Sequence, residues 1–285
     1  MDKDINLITV PYDSSHFNER MGSGPLHIIN RGLIQKLQGA GYTVNYTEII
    51  LKDDFPTEIA STLKLFHQIR SNVATSIQNQ AFPLVLSGNC SASAGVVVGL
   101  DEHNLGVVWF DAHGDYETPE TTLSGFLDGM ALSMLTGFCW HNLFSSLKGT
   151  PVSGKHIMLI GARDLSSYEK ESMSTNKINH ISVDQIRHLK QEAIVNQCNE
   201  FIRNGIKKLH IHIDVDVIDP SIAPSNSYAV SNGLSKENLI QTINYCANQI
   251  PVASVTVASY DPSFDKDDKM LSLINELIEV IVDKV

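Results

Sequence analysis

The chain has 285 residues, enough for one large domain or two small ones that bury roughly three quarters of their unfolded surface. Hydrophobic residues make up 42% and charged residues 19%, with mean hydropathy −0.05; these values exclude a disordered, collagen-like or coiled-coil chain. Asp and Glu number 32 against 21 Lys and Arg, a net charge of −11 that argues against nucleic acid and anionic membranes as partners.

Short apolar, β-branched runs alternate with amphipathic stretches from one end to the other. A strand is predicted over Ile5–Val10, a helix over Gly24–Leu37, a strand over Thr43–Tyr46 and a helix over Pro56–Asn79. Strand Pro83–Leu86 and helix Ser91–Leu100 follow, then strands Gly106–Phe110, His156–Ile160 and Asn179–Ser182. Helix Asp184–Gly205, strand Lys208–Ile213, helix Ser235–Asn248, strand Val252–Val257 and helix Lys266–Val285 complete the series. Such alternation predicts an α/β fold in which a parallel sheet is covered by helices on both faces. With no linker, repeat or low-complexity tract, a single domain over 1–285 is expected.

Cys90, Cys139, Cys198 and Cys246 have no paired spacing, which favours reduced thiols and a cytoplasmic location. The opening MDKDINLITVPYDSS has no basic start followed by an apolar run, so no signal peptide is expected. No stretch reaches the ~18 apolar residues of a membrane span.

Two of the strands end in acidic motifs. Gly106–Phe110 runs into Asp111, Ala112, His113, Gly114 and Asp115; Leu209–Ile213 runs into Asp214, Val215 and Asp216. Residues two apart in an extended chain share a face, so Asp111, His113 and Asp115 point together, as do Asp214 and Asp216. Carboxylates converging near one sheet edge repel unless a cation lies between them. Oxygen-rich ligands with one imidazole suit Mn²⁺ or Mg²⁺, with Zn²⁺ or Fe²⁺ as alternatives. His210 and His212 alternate with these aspartates on the same strand face. His212 is open to two readings: it orients Asp214 or adds a ligand, or it is a hydrogen-bonded core residue.

With these residues the chain resembles the arginase family, the ureohydrolases. The resemblance rests on Val107 to Asp115 (VVWFDAHGD), Thr118-Pro119, Ser124-Gly125, Gly161-Ala162-Arg163-Asp164 and Ile213 to Ser221 (IDVDVIDPS). Gly22-Ser23-Gly24-Pro25, opening an early helix, also matches. It implies a three-layer α/β/α single domain with a mostly parallel sheet of about eight strands. It implies two Mn²⁺ ions, with Asp111 and Asp214 bridging both, His113 and Asp216 completing one site, and Asp115 serving the other. Asp115 would also accept a hydrogen bond from the hydroxide that attacks the substrate carbon.

Three positions depart from the family pattern. Cys90, in Ser87-Gly88-Asn89-Cys90-Ser91, stands where the family has a metal-ligating His; it is either a thiolate ligand, suited to Zn²⁺ or Fe²⁺, or a small buried residue. Asp128 stands where a His assists catalysis, and is either a general acid of raised pKa or a turn residue before Gly129. Ser259 replaces a Glu that grips the guanidinium. Glu117 stands where arginase has an Asn for the α-carboxylate, so arginine is a poor candidate. Glu117, Ser124 and Ser259 are the candidate substrate contacts, with Asp164 and Glu169 near the amino-acid end or in a surface loop.

The resemblance implies a metal-dependent hydrolase of a non-peptide C–N bond in a guanidine, amidine or formimino compound, acting as a homo-oligomer, trimeric or hexameric. The departures carry the alternative: a catalytically impaired or non-catalytic relative with a partial metal site.

Overall fold

The computed structural model describes residues 4–52, 57–189 and 192–285. Met1–Lys3, the predicted helix start at Pro56, and Lys190 and Gln191 within a predicted helix lie outside the described residues. In chain order the strands are β1 (Asp4–Val10), β2 (Tyr12–Asp13), β3 (His16–Phe17), β4 (Thr43–Glu48), β5 (Phe82–Ser87), β6 (Leu105–Phe110), β7 (Ile157–Ile160), β8 (Asn179–Ile181), β9 (Lys208–Asp214) and β10 (Val252–Ala258). The helices are α1 (Gly24–Asn30), α2 (Leu33–Gly39), α3 (Glu58–Gln78), α4 (Ala92–Leu100), α5 (Ala131–Leu135), α6 (Asn142–Leu147), α7 (Ser167–Thr175), α8 (Val183–Leu189), α9 (Glu192–Arg203), α10 (Lys236–Gln249) and α11 (Lys269–Val282).

All eight predicted strands form one parallel eight-stranded sheet in the order β4-β1-β5-β10-β9-β6-β7-β8, and β2 and β3 make a separate small hairpin. The inner strands β5 and β6 are buried along their whole length, as apolar runs covered on both faces must be. One face carries the core of α1, α2, α8, α9, α10 and α11, the other that of α3 to α7. The result is a three-layer α/β/α single domain. All four cysteines are free and buried. No helix among the described residues is long and apolar enough to cross a membrane.

The topology explains where the acidic motifs meet. From β5 the chain passes to β6 and outward to β8, and only then do β9 and β10 fill the gap between β5 and β6. Open α/β sheets bind ligands beyond the carboxyl ends of such strands, where the winding reverses. Here the ends of β5, β10, β9 and β6 lie side by side, with Ala258 opposite Asp214 and Phe110 opposite Ile213 in the register.

Local chemistry accounts for the departures from the predicted elements. The first predicted helix divides into α1 and α2 because Gly32 takes φ +94°, a left-handed conformation that breaks the helix. Helices α5, α6 and α7 are five to nine residues long, too short for a legible apolar period. The small residues of α4 allow it to close on α3: a Cβ on Gly99 would lie 2.7 Å from the Cβ of Val73. Close approach also explains the early glycines, since a Cβ on Gly88 would meet Gly22 Cα at 2.7 Å. The final helix turns its apolar stripe, including Ile274, Leu277 and Ile281, into the chain's own core, so that stripe supplies no subunit interface.

Candidate functional site

Beyond the carboxyl edge of the sheet lies a cavity of about 280 Å³. Its wall includes Cys90, His113, Asp115, Glu117, Asp128, Asp214, Asp216 and Ser259, so residues far apart in the sequence share one space. Asp111 is fully buried behind His113; its Oδ1 lies 3.4 Å from His113 Nδ1 and its Oδ2 accepts from Trp109 Nε1 at 3.0 Å. Asp216 approaches the same ring nitrogen, Oδ2 to Nδ1 3.3 Å. Ser124 is not in this wall; it is exposed, and its Oγ accepts from Phe126 N in the adjoining turn.

Backbone geometry sets the aim of several of these groups. Asp214 Oδ1 accepts from Asp216 N at 2.8 Å, and Asp111 Oδ1 from His113 N at 2.7 Å, so each strand end folds back on its own carboxylate. Asp115 and Ser259 take φ +50° and +68°, left-handed values that are uncommon for residues with a side chain. Arg163 binds backbone oxygens of Asp216, Val217 and Val230, which ties the loop after β9 to the end of β7. Glu169 is occupied in closing the start of α7: Oε2 accepts from Ser166 N, and Oε1 accepts from Tyr116 N across the loop.

The three departures from the family pattern touch one another. Asp128 Oδ2 accepts from Cys90 N at 2.8 Å, while Oδ1 accepts from Ser91 N at 2.8 Å. Asn89 Nδ2 adds a third donor at 3.0 Å. Cys90 Sγ in turn lies 3.2 Å from Ser259 Oγ and donates to Asp214 Oδ2 at 3.0 Å. Asp128 therefore caps the approach to α4 and orients Cys90.

Charge is concentrated here, with seven carboxylates in the wall against one imidazole. Burial, and then repulsion from Asp111 and Asp128, pushes the Asp115 carboxyl well above its usual range. Asp214 is raised by burial and then by Asp216 and Asp111. Burial lifts Asp128 to about 6 against its three N–H donors. Burial also works against a charged His113, but the hydrogen bonds to Asp111 and Asp216 prevail and push it up to about 12. Burial likewise opposes the charge on Asp216, and the His113 hydrogen bond overrides it, leaving that carboxyl below its usual range. Burial and the surrounding aspartates hold Cys90 as a thiol.

These residues fit divalent cations. Asp115 Oδ2 is buried with no hydrogen-bond partner, and among the wall residues His113 is the only basic side chain. Two three-membered groups among the described residues bring their ligand atoms within 4.8 Å of one another: Asp111, His113 and Asp216; and Cys90, Asp111 and His212. Asp115 and Asp214 belong to neither group. A cation would remove the repulsion that otherwise forces protons onto these carboxylates.

Several wall residues carried no sequence signal. Phe126 and Tyr228 stack with ring centroids 5.3 Å apart, and Asn226 Nδ2 donates to Ser259 O at 2.8 Å. They come from irregular loops, where neither spacing nor periodicity marks them.

A family model described as the arginase family matches residues 3–282. The chain is 29% identical to the arginase of Bacillus subtilis (strain 168), over 100% of this chain and 99% of that one. Its structure resembles the crystal structure of arginase from Bacillus subtilis with a TM-score of 0.89 at 27% identity, covering 98% of both chains. Formimidoylglutamase from Bacillus subtilis shares the fold, with a TM-score of 0.78 at 20% identity, over 100% of this chain and 88% of that one.

Proposed function

The chain belongs to the arginase family of metal-dependent amidinohydrolases, and on that premise we propose that it hydrolyses a non-peptide C–N bond in a small amidine, guanidine or formimino compound without an anionic tail. The observation that carries this reading is the excess of acid in the cavity wall, where seven carboxylates face one basic side chain, His113. Bound divalent ions would polarise the substrate carbon's surroundings and acidify a water. Asp111, His113, Asp214 and Asp216 are the residues to hold them, with Asp115 completing the set. Asp115 would accept a proton from the attacking water and pass it to the leaving nitrogen, a role its unpartnered Oδ2 supports.

Glu117 and Asp164 disfavour a substrate carboxylate by like-charge repulsion. The stacked rings of Phe126 and Tyr228 give an apolar body a surface to lie on. Ser259 contributes a hydroxyl and no charge, so cation recognition falls to the wall as a whole.

An activity screen tests this. Arginine, agmatine, guanidinobutyrate, guanidine and formiminoglutamate are each assayed with Mn²⁺, Fe²⁺, Co²⁺ and Zn²⁺. Agmatine, whose tail is cationic, should exceed arginine in kcat/KM by at least about tenfold, a difference of about 1.4 kcal/mol. Arginine as the best substrate would refute the assignment, and no turnover with any metal would favour a non-catalytic relative that keeps the fold.

The native location proposed is the cytoplasm, consistent with the four free cysteines. Association of like subunits, as a trimer or hexamer, is also proposed. Light scattering over a tenfold concentration range should report a constant multiple of 31.4 kDa; a clean monomer throughout would rule it out.

A further inference from the structure

His212 is fully buried, and its Nε2 has no hydrogen-bond partner. Its other nitrogen, Nδ1, lies 2.8 Å from Ser93 Oγ. The same hydroxyl lies 3.2 Å from His210 Nε2, and His210 Nδ1 lies 2.7 Å from Ser254 Oγ. This relay is satisfied throughout when His210 donates to Ser254, Ser93 donates to His210, and His212 Nδ1 donates to Ser93. His212 Nε2 is then a bare lone pair. The ring cannot easily turn away, because it stacks on Trp109 with centroids 3.7 Å apart and planes 23° apart. In a purely structural histidine an unmatched buried nitrogen is destabilising, so a partner for Nε2 is to be sought.

The lone pair has company. One ligand atom each of His212, Cys90 and Asp111 lies within 4.8 Å of the other two, and all three residues are buried. We propose that Cys90, Asp111 and His212 form a sulfur–nitrogen–oxygen site for a Zn²⁺-class ion, set deeper toward the sheet than the Asp111–His113–Asp216 group. The inference concerns which ion the chain holds and stands whether or not the hydrolytic reading does.

The donors select the ion. Thiolate and imidazole suit Zn²⁺ and Fe²⁺, whereas Mn²⁺ favours oxygen. Ser93 supplies the partner that a metal-bound imidazole normally has on its second nitrogen. Binding displaces the Cys90 thiol proton, which leaves to solvent in the cavity by way of Asp214 Oδ2, 3.0 Å from Sγ. Asp111 belongs to both groups and would couple their occupancy.

The test uses full-length protein purified without chelator, stripped, and titrated separately with Zn²⁺, Co²⁺ and Mn²⁺. Co²⁺ should produce a thiolate charge-transfer band in the near ultraviolet, abolished by Cys90→Ser and discharged by Zn²⁺. Zn²⁺ should bind at least about tenfold more tightly than Mn²⁺, and His212→Gln should lower Zn²⁺ affinity by about tenfold or more. Anomalous diffraction from a Zn²⁺-soaked crystal of the unmodified protein should place an ion bonded to Cys90 Sγ and His212 Nε2, a result independent of whether any variant folds. An ion seen only among Asp111, His113 and Asp216, an absent thiolate band, or unchanged Zn²⁺ affinity in His212→Gln would overturn the proposal.

Discussion

Asp216→Ala should remove the stabilisation by Mn²⁺ and reduce metal content at the Asp111–His113–Asp216 group to background. Asp216 is 1% exposed, and its two oxygens do different work: Oδ2 faces His113, while Oδ1 accepts from Ala112 N at 3.2 Å. Removing it takes away both a donor atom and the group that helps fix the imidazole. An ion at a thousand times its dissociation constant stabilises a protein by about 4 kcal/mol. For a chain of this size that is a rise in melting temperature of order 10 °C. The unmodified protein should show that rise on addition of Mn²⁺ and the variant should show none. Asp216→Asn separates the effects, because the amide oxygen can still accept from Ala112 while the charge is lost. The pH dependence has a defined sign. His113, pushed up to about 12 without metal, must give up its proton to become a ligand, so metal uptake releases protons and strengthens as pH rises. Unchanged metal content and an unchanged melting shift in Asp216→Ala would mean the ions bind elsewhere.

The parts of the fold that were legible in the sequence are those governed by burial. A central parallel strand is covered on both faces, so β6 reads as an unbroken apolar run and β9 as Leu209, Ile211 and Ile213 alternating with two buried histidines, and an aspartate where each stops marks the carboxyl edge of the sheet. The spacing of Asp111, His113 and Asp115, and of Asp214 and Asp216, could be read without a structure, but strand geometry is not what gathers them: β6 ends at Phe110, Asp115 takes φ +50°, Asp216 lies in a 3-10 turn, and backbone N–H groups fold onto Asp111 and Asp214. The resemblance supplied the pairing of those motifs in one site. What stayed hidden depends on contacts between distant segments. Asp128, Cys90 and Ser259 stand 38 and 169 residues from their partner contacts, and no periodicity links them. His212 was visible as a neighbour of Asp214 on its strand, but its meeting with Cys90 depends on how α4 packs. That packing rests on Gly95 and Gly99, where a side chain would strike Phe66, Ile69 or Val73.

The contact between the three departures leads to the second large effect: Cys90→His, Asp128→His and Ser259→Glu should fail singly and succeed together. Cys90 is 2% exposed and touches both Asp214 and Ser259, so an imidazole alone at position 90 crowds the pair it should serve. Asp128→His alone removes the acceptor for Cys90 N and Ser91 N and leaves two donors near the start of α4 with no carboxylate. Ser259→Glu alone adds a carboxylate to a wall already so acidic that Asp115 and Asp214 are raised. Made together, the changes are mutually compensating. The new imidazole at position 90 suits Mn²⁺ better than a thiolate does, a filled site neutralises the added glutamate, and that glutamate can then grip a guanidinium. A hydrogen bond between charged groups contributes about 1.5–3 kcal/mol, so the triple variant should gain about ten- to a hundredfold in Mn²⁺-dependent release of urea from a guanidine. The single variants should stay at the level of the unmodified protein, because the groups act as a unit. Steady-state kinetics on the full set of single, double and triple variants would decide it. If the unmodified protein already hydrolyses arginine or agmatine as fast as the triple variant, the three positions do not limit this site, and Cys90, Asp128 and Ser259 are compensated elsewhere in the wall.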